Sequence, residues 1–372
     1  MEWLIWPQTE SELQRVVRKL DFRLTDGQSQ RGQGQCLPGF LVGIRDAYTD
    51  NGQIMAKTQT FVVSLITEDN DYQVEQAAAA EGVARALGVQ LKVIFADSNS
   101  IQQSQQVLEF IQCAPELRPD GIILEPVGGT ALPQVARAAA QAGIGWVVLN
   151  RHASYLSELR RLFSTPAFAV STDNQEVGRI QGRQIATLLP RGGAVLYIQG
   201  PSESDTAKLR HAGLEETKPA RVQMMAIRGQ WTEHSACKAV TSWLQPTTSQ
   251  RIQVDLVAAQ NDAMAIGARE AFQQYADRDR QDHWTRLPFL GVDGLRQTGM
   301  SWAESGVLAA TVVTPPLAGK ALEMLVAAVR SSRQQQELTL VTPCSYPALE
   351  SLRSTNGRES TSLKKGAAAG LD

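Results

Sequence analysis

The sequence predicts an α/β protein built from two doubly wound parallel-sheet lobes. Three observations carry that prediction. From Thr60 onward, short apolar runs alternate with stretches whose apolar residues recur at helical spacing. The alternation restarts after Phe168. Most of the apolar runs end on polar or aromatic residues, as strands do when their carboxyl ends face a ligand.

Taken in order, residues 61–66 are the first expected strand, followed by the polar turn Thr67-Glu68-Asp69-Asn70-Asp71-Tyr72. A helix with Ala80, Val83, Ala84 and Leu87 on one face comes next, and Gly88 ends it. Residues 91–96 and 121–124 are strands two and three, with a helix through Leu108 and Ile111 between them. A helix over 133–142 leads to strand four, 144–149, which ends in Asn150-Arg151-His152. In the second run, strands are expected at 168–170, 194–198, 222–227, 256–259, 288–292 and 307–313. Helices are expected over 175–188, 207–216, 235–244, from Asp262 and over 318–329. Such alternation means right-handed βαβ units and a parallel sheet.

The ends differ from this body. Residues 1–58 form an N-terminal extension: one short helix with Leu13, Val16, Val17 and Leu20 on one face, then the polar stretch 28–35 as a linker. Residues 354–372, rich in Ser, Thr, Gly, Lys and Ala, read as a disordered tail.

Composition excludes several function classes. Lys and Arg number 36 against 38 Asp and Glu in 372 residues, a formal net charge of -2, so no basic field draws nucleic acid or anionic lipid. No apolar run approaches the roughly 20 residues of a membrane helix. The N-terminus shows no basic-then-apolar secretory signal. Cys36, Cys113, Cys237 and Cys344 form no CxxC pair, and His152, His211, His234 and His283 share no ligand spacing, so neither metal nor cofactor is expected. The HExxH, GxSxG and P-loop motifs are absent, which argues against an enzyme. One amphipathic helix before residue 60 does not make a helix-turn-helix.

The motifs Ala259-Gln260-Asn261-Asp262-Ala263-Met264-Ala265-Ile266-Gly267-Ala268, Leu290-Gly291-Val292-Asp293-Gly294 and Leu308-Ala309-Ala310-Thr311 occur in that order, after Ser171-Thr172-Asp173-Asn174 with Gly178. On these residues the chain, from Thr60 to about Leu340, resembles the type I periplasmic binding proteins. It resembles most the ribose/galactose-type sugar-binding proteins of ABC transporters and the related effector domains of LacI-type repressors. The resemblance implies two lobes joined by a three-strand hinge. The crossings are then expected near Ser171-Thr172, near 292–295 or just after, and near Thr314-Pro315. The lobes become 59–171 with 315–345, and 172–314.

The resemblance also implies a site. Asn70 and Tyr72 match the loop after strand one, Asn150 and Arg151 match an Asp-Arg pair, Lys208 falls where an arginine is usual, and Trp231 matches an aromatic wall. Asn261 and Asp293 match outright, and Thr314 falls where a hinge glutamine is common. Three departures stand out: Asn150 for aspartate, Lys208 for arginine, and Gln73 for a second aromatic. On the residues alone, Asp293 can instead shape a turn, Asn261 can cap a helix beside Asp262, Arg151 can pair on the surface and Trp231 can be core. Of the neighbours 261 and 262, Asp262 is expected as the cap and Asn261 as the ligand-facing group. Such a set suits the hydroxyls of a sugar or polyol, with Tyr72 and Trp231 covering the C–H faces of a ring. The implied partner is an ABC transporter permease, with a sensor protein as the alternative. The implied state is a monomer in the periplasm, with the cytoplasm as the alternative.

Overall fold

The computed structural model describes residues 58–128, 132–151, 153–245, 252–275 and 278–352. The extension and the tail expected from the sequence lie outside these residues, apart from Thr58, and so does His152.

The first sheet has strands β1 (Thr60–Leu65), β2 (Gln90–Phe95), β3 (Gly121–Leu124), β4 (Gly145–Leu149) and β5 (Ala167–Thr172). Between them run α1 (Asp71–Leu87), α2 (Ser100–Gln112), α3 (Pro133–Gln141) and α4 (Leu156–Leu162). The second lobe follows with α5 (Asn174–Leu188), β6 (Gly193–Gln199), α6 (Asp205–Thr217), β7 (Val222–Arg228), α7 (Glu233–Leu244) and β8 (Leu256–Ala259). It continues through α8 (Asp262–Gln273), α9 (Arg278–Thr285), β9 (Phe289–Leu290), α10 (Ser301–Glu304) and β10 (Thr311–Val313). The chain then returns as α11 (Ala318–Ser331), β11 (Leu338–Val341) and β12 (Cys344–Tyr346).

The first sheet has the order β11-β5-β4-β3-β1-β2, every pair parallel, and the second β7-β6-β8-β9, also parallel. In each, the order reverses at one place, between β1 and β3 and between β6 and β8. Crevices outside the carboxyl ends of strands open at such switch points.

Burial follows the period of two that a strand imposes. Val62, Ile122, Leu124, Trp146 and Val148 face one side of the first sheet, against α2, α3 and α4. Phe61, Val63, Ile123, Val147 and Leu149 face the other side, against α1 and α11. In the second sheet Leu196, Ile198, Val257 and Ala259 pack on α7 and α8, while Val195, Tyr197, Leu256 and Ala258 face Ile185 and Leu214. With both faces covered, the strands read as continuous apolar runs, which is why they stood out in the sequence. Helices α5 and α6 touch backbone to backbone. A Cβ at Gly178 would meet Arg210 O at 1.9 Å, and one at Gly213 would meet Gln175 O at 1.9 Å.

Three crossings join the lobes. β5 lies in the first sheet and α5 in the second lobe, so the chain crosses at residue 173. It returns between β10 and α11, where Ala318 N donates to Gln76 Oε1 at 2.7 Å. It crosses again between β11, paired with β5, and β12, antiparallel to β10. The crossing expected at 292–295 is therefore at 342–343. Bridges Leu290↔Ala310 and Asp293↔Val313 keep the 292–295 segment inside the second lobe. For the same reason residues 344–345, expected in the first lobe, belong to the second, where Leu352 also packs.

Candidate ligand-binding site

A cavity of about 360 Å³ lies between the lobes, at the strand ends where both sheets reverse order. From the first lobe it takes Asn70 after β1, Tyr72 and Gln73 in the first turn of α1, Glu125 after β3, and Asn150 and Arg151 after β4. From the second it takes Asn174, Arg210, Trp231, Asn261 and Asp293.

Asn70 has two jobs. Its Oδ1 accepts from Tyr72 N at 2.9 Å and Gln73 N at 3.4 Å, capping α1. Its Nδ2 reaches across the cleft and donates to Trp231 O at 2.9 Å. The residues between β1 and α1, expected as a turn through Tyr72, thus give way to helix at Asp71.

Glu125 is buried and holds one amide on each oxygen. Gln73 Nε2 donates to Oε2 at 3.0 Å and Asn150 Nδ2 donates to Oε1 at 2.9 Å. Burial pushes its carboxyl above the ordinary carboxylate range, against the pull of these two amides and of Arg151. Asn150 adopts φ +57, a left-handed conformation that Asn tolerates better than most residues. Arg151 donates to Gly128 O.

On the facing lobe, Arg210 is buried. Its Nε donates to Asn174 Oδ1 at 3.0 Å, another guanidinium nitrogen donates to Gln260 O, and the group stands 5.7 Å from the centre of the Trp231 ring. Gln260 is fully buried and structural: its Oε1 accepts from Gly200 N at 2.8 Å and its Nε2 donates to Tyr197 Oη at 2.8 Å. Gly200 must be glycine for the ring to lie where it does, since a Cβ there would sit 2.3 Å from Trp231.

Asn261 takes both roles that were expected to be split between it and Asp262. Asn261 is the N-cap of α8, with Oδ1 accepting from Met264 N at 2.9 Å, and it also lines the cavity. Its Nδ2 donates to Trp231 O at 2.9 Å, so that carbonyl takes one amide from each lobe. Asp262 turns away, accepting from Thr311 Oγ1 at 2.7 Å and Gly294 N at 2.7 Å. Burial, then the neighbouring Asp293, holds its carboxyl well above the ordinary value. Asp293 lines the cavity at φ +111, and its carboxyl is pushed up to about 7 by burial, with Arg210 opposing and Glu125 adding.

The structure thus brings Asn70, Tyr72, Asn150, Arg151, Trp231, Asn261 and Asp293 to the cavity wall and leaves two expected residues off it. Lys208 points outward and pairs with Asp205 at 3.2 Å. Two residues along a helix turn about 200°, so Arg210 faces inward where Lys208 does not. Thr314 is buried behind the wall, and its N donates to Asp293 O at 2.9 Å, which fixes the backbone of Asp293. Sequence reasoning missed Glu125 and Arg210, and it named Gln73 only as a departure and Asn174 only within a motif, neither as part of the wall. Glu125 carried a signal, a carboxylate directly after the apolar strand 121–124.

Amides and guanidinium donors, carboxylate acceptors and two aromatic rings converge from both lobes. This set can pair hydroxyls, which both donate and accept. Among the described residues no cluster of three His, Cys, Asp or Glu side chains could hold a metal, and no helix is long and apolar enough to cross a membrane.

Comparison with known proteins agrees with the geometry. A family model described as a periplasmic binding protein domain matches residues 61–333. The chain is similar to the ribose import binding protein of Escherichia coli, at 25% identity over 268 residues, 72% of this chain and 83% of that protein. It is similar to the xylitol-binding protein of Mycolicibacterium smegmatis, at 26% identity over 262 residues, 68% of each. A solved galactofuranose binding protein matches the fold with a TM-score of 0.67 at 20% identity, covering 80% of this chain and 96% of that one. The Caulobacter myo-inositol binding protein does so with a TM-score of 0.64 at 21% identity, covering 77% and 92%. With a matching domain over most of its length and two doubly wound lobes about one cleft, this chain belongs to the periplasmic binding protein family.

Proposed function

We propose that the protein is a solute-binding component of an ABC-type uptake system and holds a sugar or polyol between its lobes. One observation carries the reading: the cavity wall combines Glu125 and Asp293 as acceptors, Arg210 and four asparagine amides as partners, and Tyr72 and Trp231 as ring faces. The amides of Asn70, Asn150, Asn174 and Asn261 come from both lobes. A ligand held by both edges favours the closed arrangement, and only that difference in affinity can drive closure. The curated relatives are named for ribose and xylitol, and a solved neighbour from Actinobacillus succinogenes is an ABC transporter periplasmic solute binding protein with bound D-allose. On this reading the protein works in the periplasm as a monomer, its closed face is read by a permease, and it releases its ligand chemically unchanged.

A thermal-shift screen of sugars, polyols and nucleosides, followed by calorimetry on each hit, tests the reading. A ligand at a hundred times its Kd stabilises the folded state by about 2.7 kcal/mol, a clear rise in midpoint. A flat response across sugars and polyols, or recovery of a chemically altered ligand, would sink it.

A further inference from the structure

The cavity wall divides by exposure. Its inner part, Glu125, Asp293, Arg210 and the two cap residues Asn70 and Asn261, is buried. Its outer part is not: Ser98 and Ser100 from the loop and helix after β2, Glu203 from the loop after β6, and Gln230 are cavity-lining and exposed.

The lobes already touch. Asn70 Nδ2 donates to Trp231 O at 2.9 Å, and Thr206 Oγ1 donates to Asn150 O at 3.2 Å. The lobes are therefore joined by direct bonds across the cleft, and the lining includes exposed residues from both lobes, Ser98 from the first and Glu203 from the second. Its volume of about 360 Å³ corresponds to roughly twelve waters at ~30 Å³ each. That lies in the ~300–1,000 Å³ range of pockets that bury drug-sized ligands, and it exceeds what one sugar ring fills.

We infer that the ligand is longer than a single ring: a sugar or polyol joined to a second hydroxylated unit, as in a disaccharide or a glycosyl polyol. The first ring sits in the inner chamber and the second leaves through the mouth. The mouth's chemistry selects a hydroxylated unit over an apolar one. Two serine hydroxyls, a carboxylate and an amide offer donors and acceptors, and no aromatic face lies among these four residues. The exposure of those groups also means that contacts there are partly hydrated, and water-bridged hydrogen bonds still contribute to affinity.

This inference rests on the proposed function and is tested apart from it. Calorimetry on the full chain uses matched probes: D-xylose with xylobiose, D-galactose with melibiose, and myo-inositol with galactinol. At least one longer probe should bind ten times more tightly than its single-ring counterpart. Ser98→Trp, or Glu203→Trp on the opposite wall should Ser98→Trp fail to fold, should lower that ratio at least tenfold. If single-ring probes bind and every longer partner binds equally or more weakly, the extended ligand is overturned and the proposed function stands. A ratio untouched by both tryptophan variants overturns the mouth as the place where the second unit sits. No binding by any of the six overturns the extended ligand, and a flat wider screen then removes the proposed function as well.

Discussion

Asn150 donates its side-chain amide to Glu125 at 2.9 Å, so the amide ending β4 holds in place a carboxylate that ends β3. The family resemblance leads one to expect the acid at 150. The charge is instead one strand over, and Asn150 keeps it in position.

Glu125 should therefore carry a large share of ligand affinity. Glu125→Gln keeps the shape but turns an N–H toward the amide of Gln73 or Asn150, and it removes a charged acceptor from the cavity. Charge-assisted hydrogen bonds contribute about 1.5–3 kcal/mol, so the Kd should rise roughly 10- to 150-fold by calorimetry. An unchanged Kd would take Glu125 out of the ligand's contacts.

Arg210 and Lys208 separate a buried cation from a solvated one. Lys208→Ala removes only an exposed ion pair, worth about 0–1 kcal/mol, and should leave both affinity and melting midpoint nearly unchanged. Arg210→Lys loses the fork that holds Asn174 and the Gln260 carbonyl together. It should weaken binding at least tenfold and lower the midpoint by several degrees. Equal effects from the two variants would place the working cation at the wrong position.

The two variants also show what was legible beforehand. Strands buried on both faces are plain apolar runs, so the sheets and their order of appearance could be read directly. Motif matching reached the neighbourhood of the site for the same reason, since strand ends follow apolar runs. It failed where the deciding fact was rotation about a helix, as between Lys208 and Arg210, or which of two adjacent polar residues caps a helix, as between Asn261 and Asp262. It failed again at the third crossing, because β11 and β12 are short and half-exposed and carry little apolar signal. Glu125 was overlooked because its role depends on two amides from other segments, Gln73 and Asn150.

The buried acids predict how stability changes with pH. Asp293 titrates near 7 in the fold and near ~3.9 in an unfolded chain. Between those values the folded protein keeps a proton that the unfolded chain has lost. Its contribution is fully present below the unfolded value and is lost as pH rises through about 7. Glu125 and Asp262 shift the same way. Glu176 and Glu216 shift downward, below the ordinary carboxylate range, and so do not titrate between pH 6 and 8. Ligand-free protein should lose on the order of 1 kcal/mol on going from pH 6 to pH 8, a fall of a few degrees in midpoint by calorimetry. Asp293→Asn should shrink that fall, raise the midpoint at pH 8 and abolish ligand binding. A midpoint that climbs from pH 6 to pH 8 in the wild type contradicts the assignment.

The carbonyl of Trp231 is where the two lobes meet through Asn70 and Asn261, and both asparagines are helix caps. Aspartate separates the two jobs. Asn70→Asp keeps an oxygen for the N–H groups of Tyr72 and Gln73, and a negative charge at a helix N-terminus is favourable. It cannot donate to Trp231 O, and its charge faces that carbonyl. Asn70→Ala loses both jobs and should cost about 1 kcal/mol of stability from the cap alone. The aspartate variant should melt close to wild type yet open wider when ligand-free, because one of the cross-cleft bonds is gone while the helix start remains. Small-angle scattering of the ligand-free proteins reads this directly: a larger radius of gyration for Asn70→Asp than for wild type. Asn261→Asp is the control. It loses its own bond to the same carbonyl, but that bond lies within one lobe, so it should leave the radius unchanged. If Asn70→Asp scatters like wild type, the bond to Trp231 does not hold the lobes together.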